Sequence, residues 1–203
     1  DIASNMVPAV DTAIYSAVGT DTVSYGVARS AQDTGNLGYK LALDGGVTVS
    51  VEAARNTAAG GTDNTYGITY TGIDGLTLAA GVGSTATGGT AEVESKTYGV
   101  KYATGGFTFG LQLTDVETEG TTEDEDGVHM GVTYNVNDDF TIGYVRQETD
   151  FSGNSSDEEH SGIQASYSMG SISFSGRVSK VDNMAGTAGS SDEDKHITMS
   201  IAF

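Results

Sequence analysis

The end of the chain sets a pattern that runs back through most of it. In the stretch His196 to Phe203, Ile197, Met199, Ile201 and Phe203 fall on one side of an extended strand. His196, Thr198, Ser200 and Ala202 fall on the other, because successive side chains of a strand point to opposite faces. The same alternation predicts strands carrying apolar rows at Leu37 to Leu43, Val47 to Val51, Tyr66 to Tyr70, Leu76 to Val82, Tyr98 to Tyr102 and Phe107 to Leu113. It continues at Val128 to Tyr134, Phe140 to Tyr144, Ile163 to Met169 and Ile172 to Val178. Eleven rows result, with a further short one at Val23, Tyr25 and Val27. The residues between the apolar ones are small or polar, so each strand has one oily face and one wet face.

The connections alternate too. Tight turns are expected at Asp44-Gly45-Gly46, Asp74-Gly75, Thr104-Gly105-Gly106, Asn137-Asp138-Asp139 and Gly170. Between them lie long polar links at 55–64, 83–94, 115–126, 148–159 and 182–194, most of them acidic. Short connections at one end and long ones at the other describe an all-β, antiparallel, up-and-down transmembrane barrel, whereas the crossings of a β-sandwich mix both lengths at both ends. Rows of about 8 to 10 residues also fit the length needed to cross a bilayer obliquely. Tyrosines gather on the apolar faces, many near strand ends, where interfacial aromatic girdles belong.

Charge sharpens this reading. Lys40, Glu52, Lys101 and Arg177 all fall on the small, polar face, although either face was open to them. A Lys or Arg facing lipid at mid-bilayer costs about 2 to 4 kcal/mol, so the polar face is expected to line water. Arg146 is the exception in phase, falling on the aromatic face or at the rim.

Composition excludes other classes. With 28 acidic against 9 basic residues, a formal charge of -19, nucleic acid is not an expected partner and any steering field favours cations. No cysteine is present, which removes disulfides and thiolate metal sites. No apolar run approaches the roughly 18 residues of a membrane helix, so a membrane would be crossed as strands. The opening Asp1-Ile2-Ala3-Ser4 reads as a processed or truncated beginning.

Residues 1–35, with the only proline and the acids Asp11 and Asp21, form an irregular segment, distinct from the strand region 36–203. The terminal Phe203 with Ile201, Met199 and Ile197 looks like a barrel-assembly signal. The strands Thr65-Tyr66-Gly67-Ile68-Thr69-Tyr70 and Thr97-Tyr98-Gly99-Val100-Lys101-Tyr102 repeat one tyrosine-glycine design. On these features the chain resembles the C-terminal part of the general diffusion porins of Gram-negative outer membranes, particularly the alphaproteobacterial kind.

That resemblance implies part of a barrel of roughly 16 strands, a homotrimer, contact with lipopolysaccharide and passage of small hydrophilic solutes. It further implies that 1–35 acts as a constriction loop. Asp11 and Asp21 would face the basic wall candidates Lys40, Lys101 and Arg177, with Arg146 as a candidate at the aromatic face or rim, and Glu52 would also line the pore. With few lumenal bases, the pore is expected to be weakly cation-favouring.

Two alternatives stay open: an outer-membrane barrel enzyme of phospholipase or protease type, and a soluble acidic β-sandwich. The run Asp157-Glu158-Glu159-His160-Ser161 holds acid, imidazole and hydroxyl, the groups a hydrolase uses, though within a polar link. No cofactor is expected. Glu123, Asp124, Asp157 and Glu158 are candidates for weak Ca2+ or Mg2+ binding at outer loops, as hard oxygen donors without EF-hand spacing.

Overall fold

The computed structural model describes residues 36–202 other than 57–58, 87–91, 121–123 and 155. Eleven strands form: β1 (Asn36–Leu43), β2 (Val47–Asn56), β3 (Gly61–Ile73), β4 (Leu76–Ala86), β5 (Glu92–Thr104) and β6 (Phe107–Thr118) are followed by β7 (Glu125–Asn135), β8 (Phe140–Phe151), β9 (Glu158–Met169), β10 (Ile172–Asp182) and β11 (Ser191–Ile201). All eleven predicted rows lie on these strands. The candidate strand at Val23 to Val27 lies outside the described residues.

The polar links are shorter than the sequence pattern implied. Strand pairing continues beyond each apolar row, leaving connections of four to eight residues at that end and two to four at the other. The reason is that backbone ladders do not require apolar side chains; above the oily rows, cross-strand ion pairs such as Lys96 with Asp115 accompany the ladder instead.

Each strand pairs antiparallel with its chain neighbours in a single sheet ordered β1 to β11. At the short-turn end the turns are stitched to one another. The Gly46 carbonyl accepts the Thr71 amide, Gly75 that of Ala103, Gly106 that of Asn135, Asp139 that of Ser168 and Ser171 that of Ala202, at 2.8 to 2.9 Å. In the Asn137 turn the side-chain carbonyl caps the amides of Asp139 and Phe140 at 2.9 and 2.8 Å, which explains the asparagine.

No second layer covers the oily face among the described residues. Leu37 is 78% and Ile197 85% exposed, and the buried hydrophobic residues there are Ala54, Ala79, Val145 and Val181, all in phase with the polar face. This reverses the arrangement of a water-soluble sandwich, whose apolar faces pack together.

Register shows how the sheet sits. One hydrogen-bonded row runs Leu41, Val49, Ile68, Ala80, Tyr98, Leu113, Val128, Glu148, Glu159, Asp182 and Ser191 on the oily side, and turns from apolar to acidic partway across. The uppermost apolar residue of β1, Leu37, stands four residues above this row, and that of β11, Ile197, six below it. The apolar boundary therefore shifts ten residues over ten strand steps. With a rise of ~3.3 Å per residue and ~4.8 Å between strands, one residue per strand is a tilt of about 35°, the tilt of a transmembrane barrel.

β1 and β11 are not paired with each other, and both run toward the short-turn end. Antiparallel closure between them requires an odd number of further strands. The described sheet is a partial barrel.

Candidate functional site: the inner wall

The polar face is built from three parallel rows. The upper one reads Gly99, Gln112, His129, Gln147, His160 and Val181 across β5 to β10. Below it run Lys101, Gly110, Gly131, Val145, Gly162, Ser179 and Asp194, then Ala103, Thr108, Thr133, Gly143, Gln164, Arg177 and His196. Period two places these residues on the inner face, where Gly110, Gly131 and Gly162 of the middle row leave room between the larger side chains. Gln112, His129, Gln147, Thr97 and Thr149 are buried. Gln147 Nε2 donates to Thr149 Oγ1 on the same strand at 3.1 Å, and the Thr97 hydroxyl donates to the Leu113 carbonyl of the neighbouring strand at 3.2 Å.

Of the predicted wall residues, Lys40, Glu52, Lys101 and Arg177 lie on this inner face, opposite Ser50, Gly38, Gly110 and Gln164 respectively. They are not brought together. Lys40 is on β1, Lys101 on β5 and Arg177 on β10, so at ~4.8 Å per strand about 19 Å and about 24 Å of wall separate each from the next. Arg177 is largely buried, with Nε 3.4 Å from the Asp194 carboxylate on the neighbouring strand. Asp11 and Asp21 lie outside the described residues, as does Phe203; Met199 and Ile201 face outward on β11.

Arg146 corrects the pore-lining assignment. It pairs in register with Met130 and Ser161 on the outer face and bridges the carboxylates of Glu148 and Glu159 at 3.0 and 3.1 Å. One step above Tyr144 it has left the apolar band, so its charge meets the interfacial zone rather than hydrocarbon. It belongs to an outer belt that the sequence reading missed. Lys96 lies 3.6 Å from Asp115 and 3.4 Å from Glu117, Lys180 lies 2.6 Å from Asp182, and Lys195 lies 2.7 Å from Glu193. The signal was available in strand phase, since all four bases lie in step with apolar residues yet above them.

In this belt Asp115 and then Glu117 hold the Lys96 ammonium above its ordinary pKa. Partial desolvation on an otherwise exposed position, with Asp115, Asp150 and Asp124 nearby, raises the Asp126 carboxyl. Asp126 lies above Val128, the top apolar residue of β7.

The hydrolase-like run is divided by strand alternation. His160 and Glu158 point inward and are buried, while Ser161 and Glu159 lie on the opposite face. Imidazole and hydroxyl cannot meet from there. Among the described residues no group of three or more His, Asp or Glu is arranged to hold a metal ion. Glu123 lies outside the described residues, and both Glu158 oxygens are engaged, one by His160 and one by the Ala185 amide.

A tilted, antiparallel sheet with an oily outside and a polar, concave inside defines an outer-membrane β-barrel protein. The chain belongs to the Gram-negative porin family, whose model matches residues 3–197. OmpF of Salmonella typhi, solved with daunomycin, is similar in structure (TM-score 0.57, 15% identity, 82% of this chain and 61% of that one). So is in-vitro folded OmpT of Vibrio cholerae, described as an outer membrane protein (TM-score 0.53, 16% identity, 81% of this chain and 60% of that one). The chain spans about 60% of the length of either. No curated protein sequence matches it. The outer membrane of a Gram-negative bacterium is its location.

Proposed function

We propose that the barrel is a passive diffusion channel for small hydrophilic solutes and ions, weakly favouring cations. The observation that carries this is the opposition of the two faces: an uninterrupted apolar band outside and three polar rows within, which is the arrangement of a wall between lipid and water. Net charge of -19 and inner cations spread singly around the wall favour cation entry without a concentrated basic patch to attract anions. Residues 1–35 are assigned to narrowing the lumen.

Membership of the family supports a homotrimer in contact with lipopolysaccharide as part of this reading. The charged belt just above the apolar band stands at headgroup height and supports that contact.

The test is single-channel recording of the protein in a planar bilayer under a salt gradient. Conducting steps with a reversal potential displaced toward the cation are expected. Absence of conductance would remove the pore reading, and a displacement toward the anion would remove the selectivity.

A further inference from the structure

The connection between β10 and β11, residues 183–190, does not simply cross the rim. Its backbone is pinned to the inside of the barrel. Glu158 points inward at the top of β9 and is buried; its Oε2 accepts the amide of Ala185 at 2.5 Å, and its Oε1 lies 2.8 Å from Nε2 of His160. A carboxylate only accepts, so the imidazole nitrogen carries the proton of that bond. For its amide to reach an inward-facing side chain, the connection must bend over the lumenal edge of β9 rather than outward.

Further contacts hold it there. Asn154 Nδ2 donates to the Ala185 carbonyl at 3.1 Å and Asn183 Nδ2 to the Asp157 carbonyl at 3.0 Å, joining the connection to the one between β8 and β9. The Asn183 side-chain oxygen accepts the Gly189 amide at 3.0 Å, closing the loop on itself. Asn183 and Ala185 both have positive φ, 55° and 51°; asparagine adopts this conformation readily, whereas alanine keeps it only where its surroundings hold it. Gly186 is buried, and a side chain there would collide with Asn154.

We propose that residues 183–190 form an inward-folded strap over the outer mouth, and that Glu158 is the positioning residue that holds it and thereby sets the size of solute admitted. Glu158 touches no solute in this scheme; it acts through the strap. The size-selection part rests on the diffusion-channel reading, whereas the anchoring does not.

The experiment compares Glu158→Ala and Glu158→Gln with the unaltered protein in detergent and in planar bilayers. Glutamine keeps an oxygen for the Ala185 amide, so it is expected to behave nearly as the parent. Alanine removes a charge-assisted bond, so amide exchange at Ala185 is expected to accelerate about 10- to 100-fold. Neutral polyethylene glycols too large to enter the parent pore should then enter the Ala variant and lower its conductance. Unchanged exchange in Glu158→Ala overturns the anchor, and faster exchange with an unchanged polymer cutoff overturns its role in selection. Should Glu158→Ala fail to fold, Asn154→Ala loosens the same strap from outside the buried pair, and the same two readouts decide. A parent protein that does not conduct would count against the channel reading, while the exchange comparison still decides the anchor.

Discussion

At the scale of single residues, the turn glycines show how the same residue type meets different demands. Gly45 and Gly46 both adopt positive φ, 81° and 84°. A Cβ at Gly45 meets open space, whereas one at Gly46 would stand 2.5 Å from the Gly72 amide nitrogen in the adjoining strand. Gly45→Ala is therefore expected to lower stability by about 1 to 2 kcal/mol from its backbone conformation alone. Gly46→Ala should lower it further, because the close approach of β2 and β3 is lost as well; urea unfolding in detergent measures both. Equal losses would contradict the packing argument.

Asp126 gives a prediction with a pH sign. Its carboxyl is raised by partial desolvation first and by Asp115, Asp150 and Asp124 next, so folding favours its protonated form. That contribution is fully present below the ordinary aspartate value of 3.8 and is lost as pH rises through the raised one. Asp126→Asn should then melt higher than the parent at neutral pH, and the two should converge as pH falls toward that ordinary value. A variant that melts lower at neutral pH would show that the carboxylate is stabilised by its surroundings instead.

At the scale of a strand, β7 separates the two environments within two adjacent positions. Val132 lies in the apolar band between Met130 and Tyr134, and Thr133 lies on the inner wall between Thr108 and Gly143. Val132→Lys places an ammonium toward hydrocarbon and is expected to cost about 2 to 4 kcal/mol. Thr133→Lys places it toward water, should leave stability within ~0.5 kcal/mol and should move the reversal potential toward the anion. Equal destabilisation by both would mean that both faces of β7 meet the same surroundings. The stacking of Phe107 on Tyr134, ring centroids 4.2 Å apart, closes the lower edge of the band on this face.

At the scale of the whole molecule, the open sheet makes its own prediction. Leu41 and Val49 are direct partners on β1 and β2, so the double variant Leu41→Cys, Val49→Cys is expected to cross-link on oxidation. The pair Tyr39→Cys, Ile197→Cys spans the unpaired edges β1 and β11 and should not. A bridge in the second pair, read by mobility on a non-reducing gel, would show these edges to be adjacent. The sheet also explains why the wall carries a diffuse charge. Lys40, Lys101 and Arg177 are in phase but separated by four and five strand steps, so they do not form one contiguous basic patch on the wall.

Much of this was legible in the chain before folding, and the division follows from the range of the forces involved. Strand identity, the oily and wet faces, and the end that carries the tight turns were written in the sequence, because side-chain alternation and turn chemistry are local properties of a few neighbouring residues. The inward placement of Lys40, Glu52, Lys101 and Arg177 followed from phase alone. Tilt, the height at which each strand leaves the apolar band, the ion pairs of Arg146 outside the pore and the reach of the Ala185 amide to Glu158 were decided only by tertiary structure. Each depends on the stagger between strands and on which loops fold back over the wall, and that relation is fixed by pairing across distant parts of the chain.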